Sequence, residues 1–144
     1  FMEIALEEAR AAAARGEVPV GACLVREGVV VARAGNRTRE LADPTAHAEV
    51  LVIREACRKA GSERVPGADL YVTLEPCPMC AAAISAARVA RVYYGAADPK
   101  SGGVAVGARV FSHPQCHHVP EVYDGIGAVE AEGILRAFFE ARRG

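Results

Sequence analysis

Four side chains in this sequence have the types and spacing to do chemistry together. A histidine and a glutamate stand one residue apart in His47-Ala48-Glu49, and two cysteines follow some thirty positions later in Pro76-Cys77-Pro78-Met79-Cys80. Two thiolates and one imidazole suit Zn²⁺, and three protein ligands leave the fourth tetrahedral position open for water. Water held there has its pKa lowered from 15.7 to about 7. Two apart at a helix start, His47 and Glu49 point in different directions, so Glu49 is badly placed as a ligand. It can instead take a proton from the water and deliver it to a ring nitrogen and then to a leaving amine. The chemistry supported is hydrolytic removal of an exocyclic amino group from an aromatic base.

Positioning these groups requires two helix starts. Asp43-Pro44-Thr45 breaks the chain and offers Thr45 as N-cap of a helix with a stripe of Ala46, Val50, Ile53 and Cys57, closed by Gly61. A short apolar strand, Leu70 to Leu74, runs into Glu75-Pro76, and a helix is expected to begin at the cysteines. Three-residue spacing on one turn lets both sulfurs face one ion, Pro78 costs little at a helix start, and the positive helix end favours thiolate over thiol.

The rest of the chain reads as a frame for these two helices. Met2, Leu6, Ala9 and Ala13 recur at helical spacing and Gly16 ends that helix. Val18 to Val25 and Val29 to Ala34 predict paired strands around the Arg26-Glu27-Gly28 turn. Val89 to Tyr94 predicts a strand, Ala96 to Gly107 a glycine-rich loop, Val119 to Val122 a weak strand, and Leu135, Phe138 and Phe139 the apolar face of a last helix. Strands alternating with helices predict an α/β fold: a three-layer α/β/α sandwich with a mixed five-stranded central sheet, its opening hairpin antiparallel.

Bulk properties narrow the class. With 144 residues, 51% of them hydrophobic, one core can be filled, and a single domain over 1–144 is expected. No run approaches the roughly 20 apolar residues of a membrane span. Phe1-Met2-Glu3 lacks the basic-then-apolar pattern of a secretory signal, so a cytoplasmic location is expected. Five cysteines, an odd number unevenly placed, fit reduced thiols and metal binding better than a disulfide framework. A net charge of −1 does not announce a nucleic-acid binder, so any RNA contact must be local.

His-x-Glu followed by Pro-Cys-x-x-Cys is the pattern of zinc nucleobase deaminases. The likeness becomes more specific in Glu17-Val18-Pro19-Val20-Gly21-Ala22, Asn36-Arg37, Asp43 to Glu49, Thr73 to Cys80 and Tyr94-Gly95-Ala96, which resemble the bacterial tRNA-specific adenosine deaminase family. The resemblance extends into the Phe138-Phe139 helix and covers nearly the whole chain. It implies a cytidine deaminase-like fold and conversion of adenosine to inosine at the wobble position of a tRNA anticodon stem-loop. It also implies a homodimer with one Zn²⁺ per subunit. His47, Cys77 and Cys80 carry over as zinc ligands and Glu49 as the proton shuttle. Asn36 matches the position that hydrogen-bonds the target nucleoside, Val20 a wall of its pocket, and Asp98 a position contacting the RNA backbone. Two departures stand out: Gly102-Gly103-Val104-Ala105-Val106-Gly107 after Lys100, and His117-His118 where the family shows an Asn-His pair.

Competing readings attach to the same residues. A fourth ligand from His113, Cys116, His117 or His118 would close the site into a structural one, and that cluster also suggests a second metal. Against both, surface histidines are common and a carboxylate is seldom idle beside a structural zinc. Cys23 and Cys57 read as core or half-buried thiols. In place of tRNA, the same zinc and glutamate would serve a deaminase of free bases or nucleosides such as guanine, cytosine or adenosine; an inactive RNA-binding scaffold would not need Glu49. The alanine-rich helix Ala81 to Ala87 is the expected dimer surface.

Overall fold

A computed structural model describes residues 1–143. Helix α1 (Met2–Ala14) is followed by the antiparallel hairpin β1 (Gly21–Arg26) and β2 (Val29–Gly35). Then come α2 (Ala48–Ala60), β3 (Asp69–Leu74), α3 (Pro78–Ala86), β4 (Arg91–Ala96), a 3₁₀ turn at Val110–Ser112, the short β5 (Glu121–Tyr123) and α4 (Ala128–Arg143). The sheet order is β2-β1-β3-β4-β5. β1 is antiparallel to both neighbours, and β3, β4 and β5 run parallel. The expected mixed five-stranded sheet is therefore present.

Alternation along the strands divides the layers. Leu24, Leu70 and Val92 lie in one cross-strand row and face α2 and α3, packing with Val52, Ala56, Ala81 and Ile84. Leu24, Leu70 and Ile84 are each fully enclosed, a burial that stabilises by about 1.5–3 kcal/mol per side chain. Offset by one residue, Tyr71, Tyr93 and Tyr123 stack on the opposite face, where Met2, Ala5, Leu6 and Ala131 of α1 and α4 form a smaller core. Gly21 lets α1 lie directly on β1, because a Cβ there would drive into the backbone of Ala5 and Ala9.

Several expected boundaries move. β1 begins at Gly21 rather than Val18, β4 at Arg91 rather than Val89, and β5 covers Glu121–Tyr123 rather than Val119 to Val122. Thr45 is not an N-cap; it bonds Asp43 with both its amide and its hydroxyl, and α2 starts three residues later with His47 as cap. The local Asx turn wins because Asp43 offers its carboxylate two residues upstream. In α2 the buried stripe runs through Val52, Ile53 and Ala56, whereas Ala46 precedes the helix and Cys57 is half-buried. The apolar face assigned to α4 is also corrected: Ala131 is its buried residue, Leu135 and Phe138 are partly covered, and Phe139 is 46% exposed.

Candidate metal centre

Two helix caps bring the predicted ligands together. His47 is the N-cap of α2 and Cys77 the N-cap of α3, both extended, with Pro78 opening α3 and Cys80 one turn inside it. Neither cap residue bonds its own helix, so each side chain is free to face outward from the helix start. The Nδ1 atom of His47 lies 3.7 Å from Cys77 Sγ and 3.4 Å from Cys80 Sγ. Bond lengths of about 2.05 and 2.3 Å at a tetrahedral angle require an N···S separation of roughly 3.6 Å. The donor set therefore fits Zn²⁺ in identity and in spacing. Among the described residues it is the single grouping of three such side chains close enough to hold a metal.

The electrostatics suit the same purpose. Hydrogen bonding from Cys80, reinforced by His47, lowers the Cys77 thiol to about 4, which leaves it a thiolate. Cys80 is raised by the neighbouring Cys77 sulfur and by burial. His47 is raised by its bond to Cys77, against the opposing effect of burial. Glu49, in the first turn of α2, is 3% exposed. Burial lifts its carboxyl to about 7, although its backbone amide and His47 pull it down. A carboxyl at that value can both accept and release a proton at neutral pH.

The remaining predicted positions are placed as follows. Asn36 is buried behind His47, and its Oδ1 accepts the Ala48 amide at 2.8 Å. Val20 joins the core, and its carbonyl accepts the Asn36 amide at 3.0 Å. Asp98 uses Oδ1 to accept the amides of Lys100 and Ser101, closing a turn of its own loop. The C-terminal cluster does not approach the metal ligands. His118 bonds the Val89 carbonyl, and Ser85 and Cys116 both donate to the His118 carbonyl, tying this loop to the end of α3.

Sequence reasoning missed two buried carboxylates that hold the loops around the centre. Glu17 accepts the amides of Arg39 and Glu40, fixing the segment that leads to His47. Glu75 accepts the amides of Asp98, Val104 and Ala105. The available signal was a glutamate set among residues that must be buried, between Leu74 and Pro76 in one case and beside Val18-Pro19 in the other.

Beside the Asp98 turn lies a cavity of about 620 Å³, rimmed by Lys100, Arg136, Phe139 and Arg143 and floored by Val18 and Leu74. No ion pair among the described residues involves those three cations, in contrast to Arg33, Arg37 and Arg58, which are each paired with glutamates.

Comparison with known proteins agrees with this geometry. Residues 1–96 match the profile of the cytidine and deoxycytidylate deaminase zinc-binding region. The tRNA-specific adenosine deaminase of Agrobacterium fabrum is 64% identical over 143 residues, covering 99% of this chain and 94% of that protein. A solved structure from studies of A-to-I editing by deaminases acting at the wobble position of transfer RNA superposes with a TM-score of 0.93. It is 65% identical, with 94% of this chain and 98% of that one covered. Guanine deaminase from Bacillus subtilis is more distant, at 30% identity and a TM-score of 0.67 over 99% of this chain and 91% of its own.

Proposed function

The chain belongs to the cytidine and deoxycytidylate deaminase zinc-binding family, in its tRNA-specific adenosine deaminase branch, and on that premise we propose that it hydrolyses adenosine to inosine at the wobble position of a tRNA anticodon. The observation that carries the chemistry is the buried Glu49 carboxyl in the first turn of α2, beside the His47, Cys77 and Cys80 donors. Those three residues would hold Zn²⁺, one per subunit. When bound, the ion supplies the Lewis acidity that makes a water deprotonable at neutral pH.

Glu49 accepts one proton of the attacking water and delivers it to the purine ring nitrogen, then takes the proton of the newly formed hydroxyl and delivers it to the departing amine as the carbonyl forms. Water adds to the carbon bearing the amino group, the carbon–nitrogen bond breaks, and ammonia leaves. Asn36 has its oxygen engaged by Ala48, which turns its Nδ2 hydrogens toward the nucleoside. Val20, held against Asn36 through the backbone, forms a wall of the same pocket.

A tRNA substrate is favoured over a free base by the cavity beside Asp98. Lys100, Arg136 and Arg143 are cations free to meet phosphates, and exposed Phe139 offers a face for stacking an unpaired base. An anticodon loop presents its bases unstacked, so no duplex need be melted. Asp98 shapes the turn that faces the RNA backbone. The whole chain, 1–144, acts as one deaminase domain. No helix among the described residues is long and apolar enough to cross a membrane, and action on tRNA assigns the protein to the cytoplasm. Pro78, Met79, Ala82 and Ala86 leave an exposed apolar stripe along α3, on which we place the homodimer interface.

Incubation with tRNA, an anticodon stem-loop, free adenosine, guanine and cytosine, followed by inosine and ammonia, tests the reading. Inosine is expected in both RNAs. Guanine turnover without RNA modification would overturn it.

A further inference from the structure

Glu75 occupies a position that the reaction chemistry does not use. It follows the last residue of β3 and precedes the ligand-bearing Pro76-Cys77, with 2% of its surface exposed. Both of its oxygens are held by backbone amides. One oxygen accepts the Asp98 amide at 3.1 Å, and the other accepts the amides of Val104 and Ala105 at 3.2 and 3.0 Å. Such charge-assisted bonds are about twice as strong as neutral ones. The segment they hold is also pressed against the start of α3. Gly103 donates to the Pro76 carbonyl at 2.8 Å, and a Cβ on Gly103 would sit 2.5 Å from Pro78 N. A Cβ on Gly102 would collide with the Glu75 carboxylate itself. The loop from Asp98 to Ala105 is thus seated on the carboxylate on one side and on the metal-ligand segment on the other. It carries Asp98 and Lys100 to the rim of the cavity shared with Arg136, Phe139 and Arg143.

We propose that Glu75 is a positioning residue for RNA recognition, holding the 98–105 loop so that Asp98 and Lys100 meet the anticodon backbone while the metal centre works independently of it. This rests on the tRNA deaminase reading. Glutamine at this position keeps one acceptor oxygen but turns an NH₂ group toward an amide N–H, so at least one of the three bonds is lost.

The test compares steady-state deamination of an anticodon stem-loop, and zinc content, for the wild type, Glu75→Gln and Gly102→Ala. The second variant keeps the glutamate but drives a methyl group between it and the Asp98 carbonyl, displacing the same loop by a different route. Both are expected to raise KM about tenfold or more while keeping one zinc per chain and a kcat within about threefold of wild type. An unmoved KM in Glu75→Gln overturns the proposal, as does loss of zinc or a collapse of kcat at constant KM. If Glu75→Gln does not fold, Gly102→Ala decides: a raised KM with zinc retained supports the proposal and a wild-type KM overturns it. A wild type that leaves the stem-loop unmodified overturns the substrate reading and this proposal together, whereas wild-type activity with an unmoved KM overturns this one alone.

Discussion

Asn36 caps α2 from outside the helix: its Oδ1 accepts the amide of Ala48, the first helical residue, at 2.8 Å. The local cap position is taken by His47, whose ring faces the cysteines instead of its own helix. Asn36 thus satisfies an orphan helix amide with its oxygen, and its nitrogen is the group that we propose meets the nucleoside. The two can be separated. Asn36→Asp keeps the acceptor and is expected to retain fold and zinc but lose about 10²-fold or more in deamination. Asn36→Ala loses both and is expected to be destabilised by about 1 kcal/mol as well. Wild-type activity in Asn36→Asp, measured on an anticodon stem-loop, would remove the nitrogen from the site.

Glu49 touches Cys80 but stands outside the three-donor group, so its loss should not release the ion. Glu49→Gln is expected to bind one zinc per chain by elemental analysis and to lose about 10²- to 10⁴-fold in kcat, the range a positioned proton carrier supplies. Cys80→Ala is expected to lose zinc and activity together. Metal loss in Glu49→Gln would mean that the carboxylate is a ligand.

These two predictions draw on parts of the site that differ in how visibly the sequence marks them. The grouping of His47, Cys77 and Cys80 was legible because two thiolates three residues apart and an imidazole beside a glutamate have few other uses. The sheet was legible because runs such as Leu70 to Leu74 are apolar and β-branched enough to be buried. The cap geometry was not, because Asp43 and Thr45 form a local turn whose victory over helix capping depends on a carboxylate two residues away. Glu17 and Glu75 stayed hidden for a different reason. Their partners are backbone amides 22 to 30 residues distant, and a backbone amide has no signature in the sequence. Phe139 was misread because helical spacing marks an apolar stripe without saying whether anything covers it.

The uncovered stripe on α3 leads to a prediction about assembly. Met79 is 37% exposed and Ala82 and Ala86 are exposed beside it, small enough for a second helix to approach closely. The wild type is expected to sediment as a dimer at micromolar concentration, and Ala82→Glu as a monomer, since an unpaired carboxylate in a packed helix contact is strongly disfavoured. A monomeric wild type would take the interface off this face.

Acid should weaken the hold of Glu17 on the loop leading to His47. Burial pushes the Glu17 carboxyl up, but the amides of Glu40 and Arg39 and the charge of Arg15 outweigh it and hold the group below its ordinary value of 4.5. A carboxyl depressed in the folded state stabilises the protein above its unfolded pKa, and that contribution is lost as pH falls through the folded value. Glu17→Gln cannot carry the charge at any pH and forfeits one of the amide bonds. At pH 7 it is expected to be less stable than wild type by about 2 kcal/mol in urea denaturation. The gap should hold down to the ordinary carboxyl range and narrow below it, as wild-type Glu17 takes up a proton and becomes as neutral as the glutamine. A gap that stays constant between pH 7 and pH 3 would show that Glu17 acts by packing alone, and its charged hold on Arg39 and Glu40 would have to be abandoned.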